Sequence, residues 1–158
     1  LYSYAQDDFL ASMPSLYAEI EINAPRSLIW QVLIQKEIWL KWNTFLFDRA
    51  PHQPLRQGCT TLLSARRVAG DDETEFEILV TLVQPNTCLK WLISAPGFQS
   101  EHVFELQDIG SGRTKYTHRE TFSGFVTRLT LPFIRQDEQQ GIRRMARELK
   151  RYAEKLVR

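Results

Sequence analysis

The chain has 158 residues, 43% of them hydrophobic and 25% charged, with a formal net charge of +1. A single domain of that size buries roughly 68–70% of its unfolded surface, so it folds without a disulfide or metal framework. The charged fraction is ordinary for a globular chain, and neither Pro nor Gly is enriched enough to suggest disorder. The charge is unevenly spread: from Arg128 to Arg158 nine basic residues face four acidic ones, a local excess of +5 that leaves −4 for the rest.

Residues 1–15 are polar and irregular, with Asp7, Asp8 and Pro14, and are expected to form an arm outside one domain spanning 16–158. From Leu16 to Ile22 the pattern alternates. Leu16, Ala18, Ile20 and Ile22 share one face and Tyr17, Glu19 and Glu21 the other, a half-buried strand. Pro25 suits a helix start, with Asn23 or Ser27 as cap, and Leu28, Ile29, Val32 and Leu33 recur at helical spacing. A second short helical turn, Glu37 to Trp42, groups Ile38, Trp39 and Trp42.

After Asn43 the chain returns to strands. These are Phe45–Asp48, Gly58–Val68, Thr74–Val83, Cys88–Ser94, Gln99–Leu106 and Thr114–Ser123, separated by Pro- and Gly-marked turns as in an antiparallel meander. A helix is predicted from about Leu131 to Val157, with Pro132 in its first turn. Ile134, Gly141, Met145, Leu149, Tyr152 and Leu156 form its apolar stripe, and Arg143, Arg144, Arg147, Lys150, Arg151 and Lys155 its solvated face. One strand, two short helices, about six strands and a long helix make an α+β domain, its curved sheet of about seven strands wrapped on that helix.

The elements carry a family resemblance. Ile20-Glu21-Ile22-Asn23-Ala24-Pro25, then Ile29-Trp30 with Val32-Leu33, then Trp39-x-x-Trp42-Asn43 resemble the opening of the polyketide cyclase/dehydratase and lipid-transport superfamily, the SRPBCC or START-like helix-grip proteins. Val80-x-x-Val83-x-Pro85 and Leu89-x-Trp91 resemble its central strands. His102-Val103-Phe104-Glu105-Leu106, Gly112-Arg113-Thr114 and Glu120-Thr121-Phe122-Ser123-Gly124 resemble its last hairpin. The resemblance, running from Leu16 to Leu156, implies a helix-grip fold with a deep cavity between sheet and C-terminal helix. It does not imply one function, because the superfamily spans carriers, receptors, cyclases and chaperone activators.

On the last strand Tyr116, His118, Glu120 and Phe122 share one face, and His102, Phe104 and Leu106 share one on the strand before. The other face of the last strand is uniformly polar, with Lys115, Thr117, Arg119, Thr121 and Ser123, so the first set is expected to point inward. An apolar cavity would then receive His102, Tyr116, His118 and Glu120, the kind of groups that orient a ligand. His118, Glu120 and His102 are the candidate acid–base residues should there be catalysis. Phe76, Trp91, Phe104, Phe122 and Met145 complete the expected lining. Trp42 is added because the resemblance places it, with Trp91, at the cavity. Gly141 either leaves room against the sheet or marks a tight contact.

The leading expectation is binding or transport of a hydrophobic or amphipathic small molecule. The alternatives are a cyclase/dehydratase-type enzyme and a protein–protein module of the chaperone-activator kind. Cys59 and Cys88 read as small half-buried strand residues, and no metal cluster, cofactor fingerprint or nucleic-acid signature is present. No run approaches the roughly 18 apolar residues of a membrane span, so no stable membrane insertion is expected. No basic-then-apolar leader is seen either, although Leu1 leaves a removed leader open. The expected setting is the cytoplasm, as a monomer or weak homodimer.

Overall fold

The alternation in residues 15–22 buries Leu16, Ala18 and Ile22 and leaves Tyr17, Glu19 and Glu21 outside, as the period of two requires of a strand covered on one side. In the computed structural model, which describes residues 13–68 and 70–158, this segment is β1 (Ser15–Ile22). It is followed by α1 (Arg26–Ile34) and a 3-10 helix (Lys36–Lys41). Then come β2 (Leu46–Asp48), β3 (Thr60–Ala65), β4 (Thr74–Gln84), β5 (Cys88–Ala95), β6 (Phe98–Gly110) and β7 (Arg113–Ser123). The long helix α2 (Thr127–Val157) closes the chain.

All seven strands form one antiparallel sheet in the order β1-β7-β6-β5-β4-β3-β2. Strands β2 to β7 are thus a meander, and β1 returns to pair with the last of them. Register shifts between Val80 and Leu82 on β4 and between Asp108 and Gly110 on β6 add local twist, which helps the sheet curl. Helix α2 packs against β1, β7 and α1. This is the helix-grip architecture.

The buried side of α2 carries Leu131, Glu138, Gly141, Ile142, Met145, Ala146, Leu149 and Ala153, spaced three and four apart. Gly141 settles as the tight contact: a Cβ there would lie 2.4 Å from the Phe45 ring. Only a glycine lets helix and ring approach so closely.

Several local expectations need correction. Helix α2 starts at Thr127, so Pro132 falls inside it and not in its first turn. The early start is set by Gly124 at φ 96°, by Val126 N–H donating to Gly97 O (2.8 Å), and by Thr127 Oγ1 donating to Ser123 O (2.7 Å). Neither Asn23 nor Ser27 caps α1, whose N-cap is Pro25 without a side-chain hydrogen bond. Asn23 instead donates its N–H to Glu154 Oε1 at 2.9 Å.

On the basic face of α2, Arg144 and Lys150 are not simply solvated. Arg144 donates to the carbonyls of Arg66 (2.5 Å) and Arg67 (3.0 Å), and Lys150 to that of Glu21 (2.8 Å). Leu156 is exposed rather than buried, Ile134 and Tyr152 are half-buried, and Cys59 is exposed ahead of β3. Residues 1–12 of the expected arm lie outside the described residues, and β1 already begins at Ser15. Among the described residues no helix is long and apolar enough to cross a membrane.

Candidate functional site

The site is built by the β6–β7 hairpin. Buried and outward positions alternate strictly along β7, so Tyr116, His118, Glu120 and Phe122 face inward while Lys115, Thr117, Arg119 and Thr121 face out. On β6, Ser100, His102, Phe104 and Leu106 are buried in the same way. Register then decides what touches what. His102 lies opposite Glu120, Phe104 opposite His118, and Trp91 of β5 opposite His102.

The result is a buried chain of polar side chains. His102 Nε2 stands 3.1 Å from Glu120 Oε2, and His102 Nδ1 stands 2.9 Å from His118 Nε2. The Phe104 ring stacks on His118 at 4.0 Å between centroids and lies 4.7 Å from the Trp91 ring. From the opposite wall α2 contributes Glu138, which adjoins Glu120, and Arg67 donates from its Nε to Glu138 Oε2 at 2.5 Å.

Each charge state follows from its neighbours. Burial opposes a charged His102, but the Glu120 carboxylate and its hydrogen bond outweigh burial and raise the His102 pKa. Burial likewise opposes a charged Glu120, and the adjoining His102 overcomes it, so the Glu120 pKa is lowered. Burial and the facing His102 hold His118 well below the usual histidine value. Glu138 is pulled two ways: Arg67 favours its carboxylate, while burial and Glu120 oppose it and win, raising its pKa to about 8. The contact thus favours a proton on His102 and a charge on Glu120, while the other His102 ring nitrogen meets a neutral His118. Glu138 retains a proton beside Glu120.

Several of these groups are incompletely paired. Ser100 and Glu138 approach Glu120 closely enough to favour its carboxylate, yet Glu120 Oε1 and Ser100 Oγ reach no partner with hydrogen-bond geometry. Neither do His118 Nδ1, Tyr116 Oη or Trp91 Nε1. A buried polar atom left unpaired costs about 1–3 kcal/mol, so the interior forfeits stability here.

Beside the row lies a cavity of about 80 Å³. Its apolar wall includes Phe76, Trp91, Phe98, Phe122 and Ile134, and its polar wall Ser100, His102, Glu120, Glu138 and Arg67. A larger concavity of about 640 Å³ lies on the outer face of the sheet among Lys90, Glu101, Lys115 and Arg119. That one is open and charged, and holds none of the unpaired groups just described.

Of the residues expected at the site, Phe76, Trp91, His102, Glu120 and Phe122 line the inner cavity. Phe104, Tyr116, His118, Met145 and Trp42 do not; they are buried in the core beside it. Trp42 sits with its ring 6.5 Å from that of Tyr152, on the C-terminal part of α2. The expected space along Gly141, Met145 and Leu149 is filled, and the cavity opens instead near Ile134 and Glu138. Sequence reasoning missed Arg67, Ser100 and Glu138. A signal existed for Glu138, an acid four residues after Ile134 and three before Gly141, hence on the buried stripe.

A curled sheet gripping a terminal helix, with a partly polar cavity between them, defines a protein of the START-like class. Residues 23–154 match the model of the family described as Activator of Hsp90 ATPase homolog 1-like protein, and the chain belongs to that family. Solved structures share the fold at low identity. A Thalictrum norcoclaurine synthase point mutant in complex with a transition-state analogue is 14% identical, with TM-score 0.68 over 92% of this chain and 97% of that one. A START superfamily protein from Mycobacterium smegmatis is 15% identical, with TM-score 0.66 over 90% and 98%. Ara h 8.0201 is 12% identical, with TM-score 0.63 over 93% and 100%. A search of curated proteins found no match.

Proposed function

We propose that the protein binds a small hydrophobic or amphipathic molecule, with its polar end against Ser100, Glu120 and Glu138 and its apolar part among Phe76, Phe98, Phe122 and Ile134. The observation that carries this reading is the pairing of an aromatic wall with buried polar atoms that find no partner within the protein. Ligand sites have this composition: mostly apolar, with a few convergent polar groups. A volume of about 80 Å³ takes a ligand's end and not its whole, since even an engineered cavity of about 150 Å³ takes only benzene. The remainder passes out between Phe76, Phe98 and Ile134, all half-buried at the rim.

Native mass spectrometry of the protein purified from its host tests this directly. The expected result is a retained small molecule, lost or bound at least tenfold more weakly by Ile134→Arg, which puts a long charged side chain at the opening of a variant whose folding is checked by circular dichroism. A protein with no retained or rebinding molecule, or an Ile134→Arg variant of equal affinity, would sink the proposal.

A second reading, acid–base turnover of the ligand, is favoured by the hydrogen-bonded chain from His118 through His102 to Glu120. It requires that Glu120→Gln abolish turnover of the retained molecule, and unchanged turnover would end it. The family takes its name from an activator of the Hsp90 ATPase, whereas the residues assembled around β6 and β7 support the pocket.

A further inference from the structure

We infer that His102, Glu120 and Glu138 form a binding site for a divalent transition-metal ion, with Zn²⁺ the best match, at the polar end of the cavity. Each residue offers a ligand atom, these atoms lie within 4.8 Å of one another, and all three residues are buried. One imidazole nitrogen and two carboxylate oxygens are a mixed donor set of the sort zinc accepts. Three protein ligands leave a fourth position, as in zinc sites that hold a water or a substrate atom. All three residues line the cavity that Trp91 and Phe122 also bound, so it can supply that position.

Two independent features point the same way. Glu120 is 3% exposed and lines the cavity, yet its Oε1 has no hydrogen-bond partner. His102 is also oriented as a ligand should be. Its Nδ1 is engaged by His118 Nε2 at 2.9 Å, which turns Nε2 toward Glu120. Histidines that bind metals nearly always give their other ring N–H to an acceptor, which fixes the ring and its tautomer. His118 Nε2 stands where it can serve as that acceptor. His102 Nε2 and Glu120 Oε2, now 3.1 Å apart, both reach one ion at about 2.0–2.2 Å with little movement.

Arg67 is the charge that opposes an ion here. It holds Glu138 Oε2 and leaves the other oxygen of that carboxylate available. With His102 neutral, two carboxylates and one guanidinium leave a single negative charge to meet the ion's two positive ones. The site shares Glu120 and Glu138 with the proposed ligand's polar end, and because the metal alone is the probe the two readings fail separately.

The test is calorimetric titration of chelator-stripped, full-length protein with Zn²⁺, together with X-ray absorption of the one-to-one complex. One equivalent should bind, with a single imidazole and oxygen donors around the metal. Glu120→Gln and Glu138→Gln should each weaken binding at least about tenfold, the low end of what loss of even a supporting group costs such sites. Arg67→Ala keeps all three donors and should bind as tightly or more tightly. Absence of stoichiometric binding by the wild type would overturn the inference. So would a shell containing sulfur, two imidazoles or no imidazole, or wild-type affinity in both Gln variants. Because the wild-type spectrum decides the ligand set by itself, a variant that fails to fold does not rescue the idea.

Discussion

The two halves of α2 are built to different ends. Along the C-terminal half, Met145, Leu149 and Ala153 are fully buried, and Gly141 brings the helix against Phe45. Polar groups at its edges are mostly engaged: Glu154 accepts from Asn23 N–H and Lys150 donates to Glu21 O, with the indole N–H of Trp42 beside Tyr152 the exception. Along the N-terminal half, Ile134 is only half-buried and Glu138 sets an acid beside another acid in a cavity wall. Unpaired polar atoms gather on the sheet facing it. Burial free energy is collected at one end and forfeited at the other. Departures from good packing and full pairing tend to mark sites kept for function.

The contrast is sharpest for Leu149→Ala. Truncating a fully buried leucine should cost about 2–5 kcal/mol in urea unfolding, while ligand affinity of the folded protein stays unchanged. A cost below about 1 kcal/mol would mean that this end is not the packed one. Next is Gly141→Ala. The helix gains about 1 kcal/mol from alanine, but the new methyl meets the Phe45 ring and overpacking costs typically about 1–3 kcal/mol. A net loss of stability is expected, and a gain would show that Phe45 moves freely.

Legibility in the sequence follows the same divide. Alternation in β1 and β7 and the i, i+3, i+4 stripe of α2 are local patterns, and they read directly into strands, helix and inward faces. The pairing of His102 with Glu120 is not local. The β6–β7 turn matches Gly110 to Arg113, and carrying that register straight along the strands would set His102 against Thr121, on the outward face. The one-residue shift between Asp108 and Gly110 brings Glu120 opposite instead. No residue at that turn announces the shift. Glu138 and Arg67 reach the site from α2 and the β3–β4 connection, so only the assembled fold unites them with β7. Met145, expected in the lining from its place on the stripe, is packed in the core for a related reason. Periodicity shows that a side chain is inside, but not whether the space before it is filled.

Glu138→Gln tests the other half. The folded protein holds a proton on Glu138 up to about pH 8, whereas the unfolded chain releases it near pH 4.5. Between those values the native state binds more protons than the unfolded one, so stability falls as pH rises. His102, with its raised pKa, adds slope of the same sign above 6.5. Glu120, whose pKa is lowered, and His118, held neutral, act oppositely and weaken the fold on acidification. In metal-free protein, Glu138→Gln should therefore be more stable relative to wild type at pH 8 than at pH 5, by urea midpoints at both values. Parallel profiles for the two proteins would show that Glu138 is charged throughout, and the polar end would then be better paired than its geometry indicates.

The smallest effect probes the comparison most finely. Tyr116 is fully buried in the row beside His118, and its hydroxyl has no partner within the protein. Burial alone raises its pKa, so the group stays neutral at any ordinary pH. Tyr116→Phe removes that oxygen while keeping the ring and its packing. Deleting a hydrogen-bonded buried hydroxyl costs about 1 kcal/mol, whereas deleting an unpaired one removes a desolvation penalty. Stability should thus stay level or rise by up to about 1 kcal/mol, in contrast to the loss at Leu149. A loss of about 1 kcal/mol or more would mean that an ordered water satisfies the hydroxyl. The interior around β7 would then be a wet, paired network beside the cavity.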